Sequence, residues 1–333
     1  MFTLTGTNVC ENYRNGVELI RHIGQVQDSR NGEVLVAPYP VMTVYEHPTE
    51  RVLFDRKRKA NPFFHLMEAL WMLHGRNDVT WLDKYVSTFS DRFGEEDGTQ
   101  YGAYGYRWRQ HFELDQLDYV VFALTNNPTD RRVVISMWDT DTDLGKMTAK
   151  DLPCNTHIYP RIVNGALDLT IMCRSNDIVW GAYGANAVHF SMLQEYLAGR
   201  IGVSIGKLYQ FSNNWHAYTD VLDKVAPKGY NVEMSPYYYG VVGPAAIGDQ
   251  WDHWDMDLSE FMTWHDGWWG DRTFHITKYR NKWFKDVAEP MVRTWHSYKN
   301  SKNGLSLNPR IDAAEIKASD WRAAAMEWVA GND

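Results

Sequence analysis

Cys154 stands in the segment Leu152-Pro153-Cys154-Asn155, and twenty residues further on the chain carries Arg174-Ser175-Asn176-Asp177. A thiolate attacks electron-poor carbon, and a neighbouring cation raises the fraction of thiol that is ionised. Arginine's planar fork also matches the oxygens of a phosphate. Thiol and arginine together therefore suit covalent catalysis on a phosphorylated substrate. Considered alone, a cysteine is more often a small buried hydrophobe, so its neighbours decide. Arg131 and Arg132, in Asp130-Arg131-Arg132, join Arg174 as candidate cations, although a paired arginine before a strand is commonly a solvated edge. His216-Ala217-Tyr218 adds two hydrogen-bonding side chains downstream. Glu68 lies inside an apolar run, where a carboxylate is costly to bury unless it is paired or used.

The elements that must position these residues follow from periodicity. Residues 11–25 have helical spacing, with Val17, Leu19, Ile20 and Ile23 on or near one stripe. Asp28-Ser29-Arg30-Asn31-Gly32 signals a turn before a short strand at Val34-Leu35-Val36. Asn61-Pro62 opens a second helix, in which Phe63, Leu66, Met67, Leu70 and Trp71 flank Glu68, and Gly75 ends it. Residues 94–105 are glycine-rich and loop-like, and 133–138 read as a buried strand. Ile158 to Val163, Asn164-Gly165 and Leu167 to Cys173 predict a hairpin on an Asn-Gly turn. Residues 187–199 return to helical spacing, and 203–211 to a strand. The expected organisation is one α+β domain over 1–225, with a mostly helical, Trp-rich region over 226–333 packed on it. Trp251, Trp254, Trp264, Trp268 and Trp269 fall within nineteen residues of that region. They read first as packing and second as an aromatic wall for a ring-bearing ligand.

Composition narrows the function classes. The chain has 333 residues, 44% of them hydrophobic, and a formal charge of −8. That balance argues against general nucleic-acid binding, which needs a basic face, but a few arginines can still make a local positive pocket. No apolar run is long enough to span a bilayer, and the first residues lack a secretory leader's pattern. Three cysteines suit a reducing cytoplasm. His253 and His265 lack coherent metal-ligand spacing, so no metal is expected, and no Rossmann or P-loop signature occurs.

Taken together, these segments resemble the thymidylate synthase superfamily, which includes the pyrimidine nucleotide hydroxymethylases of phages. The family's Pro-Cys and Arg-Ser-x-Asp segments match Pro153-Cys154 and Arg174-Ser175-Asn176-Asp177 at the same separation of twenty residues. Its Tyr-Gly-x-x-Trp-Arg pattern matches Tyr104-Gly105-Tyr106-Arg107-Trp108-Arg109, and its helix glutamate matches Glu68, thirty-six residues before Tyr104. Its His-x-Tyr pair matches His216 and Tyr218. The asparagine that reads the base lands on Asn186, thirty residues before His216, with one inserted residue in the loop Gly181-Ala182-Tyr183-Gly184-Ala185. The resemblance covers roughly residues 15–220. It implies a mixed β-sheet packed with helices, one sheet face forming a homodimer interface.

The resemblance also implies a chemistry. The Cys154 thiolate adds to C6 of a pyrimidine nucleotide, and C5 attacks the one-carbon unit of 5,10-methylenetetrahydrofolate. Arg30, Arg132, Arg174 and Ser175 would hold the 5′-phosphate, with Arg131 and Arg132 reaching into the partner subunit. His216 and Tyr218 would bond the sugar hydroxyl, and Asn186 the base. Glu68 would organise protons and water, Tyr104 would assist loss of the C5 proton, and Asn155 and Asp177 complete the catalytic positions.

Two departures set the direction expected for this chain. The residue after the nucleophile is Asn155, where synthases usually carry histidine. Ser90, fourteen residues before Tyr104, replaces a tryptophan that covers the reactive intermediate in synthases. A small hydroxyl there would admit water, giving a 5-hydroxymethyl product in place of a methyl group made by hydride transfer. An amide offers both a donor and an acceptor, so Asn186 favours dUMP, with dCMP or CMP as alternatives. A true thymidylate synthase and an inactive nucleotide-binding homologue remain the competing readings.

Overall fold

In the computed structural model, residues 1–146, 148–230, 237–270 and 277–331 are described. The remaining positions of the ranges above, 147, 231–236, 271–276 and 332–333, lie outside the described residues. Among the described residues, eight strands join in one mixed sheet: β1 (Phe2–Gly6), β2 (Gln25–Ser29), β3 (Gly32–Val36), β4 (Val41–Tyr45), β5 (Ile135–Ser136), β6 (Asn155–Val163), β7 (Ala166–Asp177) and β8 (Ser204–Tyr218). The main path runs β1-β4-β8-β7-β6-β5, and the β2–β3 hairpin joins beside β4 along the same edge of β8. β6 and β7 are antiparallel, while β7 and β8 are parallel.

The Asn-Gly turn forms between β6 and β7, with φ of 51° at Asn164 and 77° at Gly165. Positive φ at both central residues matches the twist of a tight hairpin. Leu167, Leu169 and Ile171 alternate inward from β7 and are buried, as a sheet with one covered face requires. The helix Asn186–Ile201 packs on β7 and β8, and the helix Val9–Ile23 on β1 and β4. On the opposite face Met42, Phe211, Met172 and His157 form one row across β4, β8, β7 and β6, and all four are only half-buried.

Three expected boundaries move. The first helix stops at Ile23, because residues 25–29 pair with β3 to form a hairpin. The strand expected at 133–138 shrinks to Ile135–Ser136, because the N–H groups of Met137 and Trp138 both donate to Thr156 O at a bulge in β6. The strand expected to end at 211 continues to Tyr218, held by β7 on one side and by β3 on the other.

The helix Pro62–Leu73 runs through the core, capped by the Asn61 side chain accepting from Phe64 N. The C-terminal region contributes the helices Trp254–Trp269, Glu289–Lys302, Pro309–Ala314 and Ser319–Ala330. Its aromatic side chains pack directly on the first part of the chain, with the rings of Trp295 and Phe63 5.3 Å apart. One hydrophobic core is continuous across both parts. Among the described residues no helix is long and apolar enough to cross a membrane.

Candidate active site

Sheet direction assembles the site. β6 starts at Asn155, just after Cys154, while β7 and β8 end at Asp177 and Tyr218, so these three ends lie at one edge. Arg174 N donates to Cys154 O at 2.8 Å, and Ser175 and Asp177 stand beside Asn214 and His216. The β2–β3 hairpin aligns Val36 with His216 and Val34 with Tyr218, so its turn, Arg30-Asn31, projects over the same end. The Asn31 amide donates to Tyr218 Oη at 3.5 Å. A cavity of about 220 Å³ results, lined by Arg30, Asn31, Ser175, Asn214, His216 and Tyr218 among others.

The Arg174 guanidinium is fixed by Pro153 O at 2.9 Å and Leu152 O at 3.0 Å, which leaves its Nη2 3.8 Å from Cys154 Sγ. Arg174 thus braces the loop that presents the thiol. The expected lowering of the thiol's pKa is not what this chain gives. Burial pushes the Cys154 thiol up, with Arg174 opposing, Asp151 adding to the rise, and Arg30 opposing. Arg131 and Arg132 are not among the charges acting on the thiol. Both are exposed ahead of β5, and Arg132 is paired with Asp130 at 2.7 Å.

Tyr104 begins a short helix, Tyr104–Arg109. Gly105 lets that helix approach the helix Pro62–Leu73: a Cβ there would lie 1.9 Å from Met72 O. The Tyr104 hydroxyl accepts from Cys154 N at 3.2 Å and from Asn155 N at 3.3 Å. Burial, reinforced by Cys154 and Asp151, raises its pKa well above the ordinary tyrosine value. Asn155 is 1% exposed, and neither atom of its amide has a partner.

Asn186 follows a wide turn, Ile178–Ala185, that absorbs the extra residue of the loop, with Asn186 N–H donating to Gly181 O. Its side-chain Nδ2 donates to Asn176 Oδ1 at 3.3 Å, and Asn176 Nδ2 donates to Ser212 Oγ at 3.0 Å. This chain of amides sets which way Asn186 faces. Asp177 Oδ1 accepts from Val179 N at 2.9 Å and Trp180 N at 2.5 Å, while its buried Oδ2 has no partner. Burial raises the Asp177 pKa. Beside it Trp180 is 53% exposed, with the Arg58 guanidinium 4.4 Å from its ring centre. Ser90 sits half-buried in the helix Phe89–Phe93, its N–H held by Asp83 Oδ1 at 2.9 Å. That helix adjoins the strap leading to Cys154, since Lys150 Nζ reaches Asp91 O at 3.5 Å.

Several side chains of this neighbourhood escaped the sequence reading. Asp151, three residues before Cys154, accepts from Gln100 at 2.6 Å, and its pKa is raised by burial and also by Glu68. His189 lies one helical turn after Asn186, with Nε2 2.9 Å from Glu68 Oε2. The position of His189 on the Asn186 face of the helix was the signal available. Among the described residues no group of three or more His, Cys, Asp or Glu is placed to hold a metal.

The chain's similarities agree with this geometry. The thymidylate synthase family model matches residues 11–233. A deoxyuridylate hydroxymethyltransferase of Pseudomonas phage M6 is 44% identical over 324 residues, covering 92% of this chain and 87% of that protein. One of Bacillus phage SP01 is 34% identical over 234 residues, covering 66% of this chain and 60% of that protein. A thymidylate synthase of Corynebacterium aurimucosum is 29% identical over 172 residues, covering 49% of this chain and 62% of that protein. The first of these matches spans more of the chain than the family model does.

Proposed function

The chain belongs to the thymidylate synthase family, and from that premise we propose that it hydroxymethylates C5 of dUMP. The co-substrates are 5,10-methylenetetrahydrofolate and water, and the products are 5-hydroxymethyl-dUMP and tetrahydrofolate. The observation that carries this reading is a thiol braced by Arg174 next to a cavity lined by Arg30, Ser175, His216 and Tyr218. Similarity to a phage deoxyuridylate hydroxymethyltransferase over 92% of the chain supports water, not hydride, as the last reactant.

The residues take the following roles. Arg30, Arg174 and Ser175 hold the 5′-phosphate, and His216 and Tyr218 bond the sugar. Asn186, oriented by Asn176, presents the remaining amide valences to the uracil edge. Cys154 adds to C6, Tyr104 stands at its backbone to assist removal of the C5 proton, and Glu68 handles protons at the base. Asn155 offers two unpartnered amide atoms to the same pocket. The folate, which supplies the one-carbon unit when bound, fits the exposed Trp180 ring and the unpartnered oxygen of Asp177, a flat surface beside an acceptor. Ser90 leaves room for water where an apolar wall would exclude it.

The working unit is a homodimer through the half-buried sheet face, acting in the cytoplasm. Burial holds the Cys154 thiol high in one protomer, and Arg131 and Arg132 are exposed and available to a second copy. Two more cations from a partner would complete the phosphate site and favour the thiolate.

Product analysis with dUMP, dCMP and CMP side by side tests the reading. The expected result is a 5-hydroxymethyl nucleotide from dUMP, carrying solvent oxygen, with no dihydrofolate. A 5-methyl product with stoichiometric dihydrofolate would replace it with thymidylate synthesis.

A further inference from the structure

His189 is 4% exposed, and neither ring nitrogen has a hydrogen-bond partner. Its Nε2 lies 2.9 Å from Glu68 Oε2, off the line of a hydrogen bond, and that oxygen is itself enclosed and unpartnered. Buried polar atoms are nearly always satisfied, so a buried ion-pair contact whose Nδ1 has no partner marks a place that a ligand can complete. Catalytic hydrogen bonds often tighten only when the substrate is present. With Oε2 turned to His189, Oε1 is the carboxylate oxygen left for another partner. His65 lies three residues before Glu68 on the same helix, and burial keeps its pKa well below the ordinary histidine value, so it stays neutral beside the pair.

We propose that His189 is a positioning residue for the water-addition step, holding Glu68 so that its free oxygen takes the proton of the attacking water. The inference rests on the hydroxymethylation reading above. In the step, the water oxygen bonds to the exocyclic carbon on C5 and gives one proton to Glu68. The displaced electron pair moves onto C5. The C5–C6 double bond re-forms as the C6–sulfur bond breaks, and its pair leaves on Cys154. No oxidant or reductant is consumed. Adduct formation belongs to Cys154 and C5 proton loss to Tyr104, so removing His189 should leave those two steps in place and slow this one.

The test uses the full chain with His189→Gln and His189→Ala, followed through a single turnover in the presence of 2-mercaptoethanol. A thiol competes with water for the same electrophilic carbon. Both variants should still form a covalent adduct with 5-fluoro-dUMP and the folate, and should release tritium from C5-labelled dUMP within about twofold of the parent. The 5-hydroxymethyl product should fall on the order of 100-fold, the scale of lost acid–base assistance, with the missing turnovers recovered as the thioether. Parental hydroxymethyl formation, or a loss matched by equal loss of tritium release, would overturn the proposal. So would failure of both variants to fold, which would make His189 a structural residue. A parent protein that yields dihydrofolate and a 5-methyl nucleotide would instead remove the reading beneath it.

Discussion

Two histidines, both buried, divide the molecule. His265, in the helix Trp254–Trp269, has a closed set of partners: Tyr85 Oη at 2.7 Å, Asp266 Oδ1 at 3.4 Å, and the Trp81 ring with centres 4.2 Å apart. Asp266 is held in turn by Arg76 at 3.0 Å and Lys84 at 3.4 Å. His189 has Nε2 2.9 Å from Glu68 Oε2 and no partner at Nδ1. Burial is equal, so hydrophobicity does not distinguish the two places. What differs is whether the protein completes its own hydrogen bonds, and a buried group left incomplete is costly unless a ligand or water completes it. At His265 the protein completes its own bonds. At the Glu68–His189 contact Nδ1 is left without a partner.

If that contrast is right, substitutions at the open end should cost activity without stability, and those at the closed end the reverse. The largest effect belongs to Cys154→Ser, which should lower turnover on the order of 10³-fold or more while melting temperature and nucleotide binding hold. Near-parental turnover would end the assignment of the nucleophile. Next comes His265→Ala, which strands the Tyr85 hydroxyl and opens a cavity, at a cost of about 2–4 kcal/mol of stability. Turnover per folded molecule should not move. Burial lowers the His265 pKa to about 4. Its folded state therefore binds fewer protons than the unfolded one, and the associated stability is full above about 6.5 and lost as pH falls toward 4. Denaturant melts across that window should show the loss in the parent and a flatter profile in the variant.

Asp320, at the start of the helix Ser319–Ala330, gives the opposite sign. Burial raises its pKa to about 6, so its contribution is full below about 3.9 and is lost as pH rises through 6. Asp320→Asn keeps the shape and removes the ionisation, and should add about 2–3 kcal/mol at pH 7, read from urea melts at pH 4 and pH 7. No gain at the higher pH would mean that the fold accepts the carboxylate without penalty. The smallest expected effect is at Arg174→Ala. Nucleotide affinity should weaken by about 1.5–3 kcal/mol, with nucleosides unaffected in titration calorimetry. Equal loss for both ligands would place Arg174 among the residues that merely brace the loop, which its bonds to Pro153 O and Leu152 O also allow.

Much of this was legible in the chain. The Asn-Gly turn, the apolar spacing around Glu68, and the separations of Cys154, Arg174, Asn186 and His216 are local or linear facts, and they suffice to name the family. Asp151 and His189 were hidden because nothing local distinguishes a lone Asp or His from a solvated or packed one. The end of β8 was hidden for a related reason. Ser212-Asn213-Asn214 is polar, and only the pairing of Ser212 with Val41 and Cys173, and of Asn214 with Ser175, makes it a strand.

The amino-acid sequence by itself determined which groups are present and how far apart they lie along the chain, because thiol, guanidinium and carboxylate chemistry belongs to the residue. It also determined the turns, since Asn164-Gly165 reaches positive φ at little cost. The tertiary structure alone decided the environment. It brought Arg30 to His216 and Tyr218 through an antiparallel pairing that no local pattern encodes. It left Arg131 and Arg132 outside the pocket, and it set burial against Arg174 at the thiol. Whether a cysteine is acidic, or a histidine complete, depends on desolvation and on partners distant in sequence, and those exist only once the chain has folded.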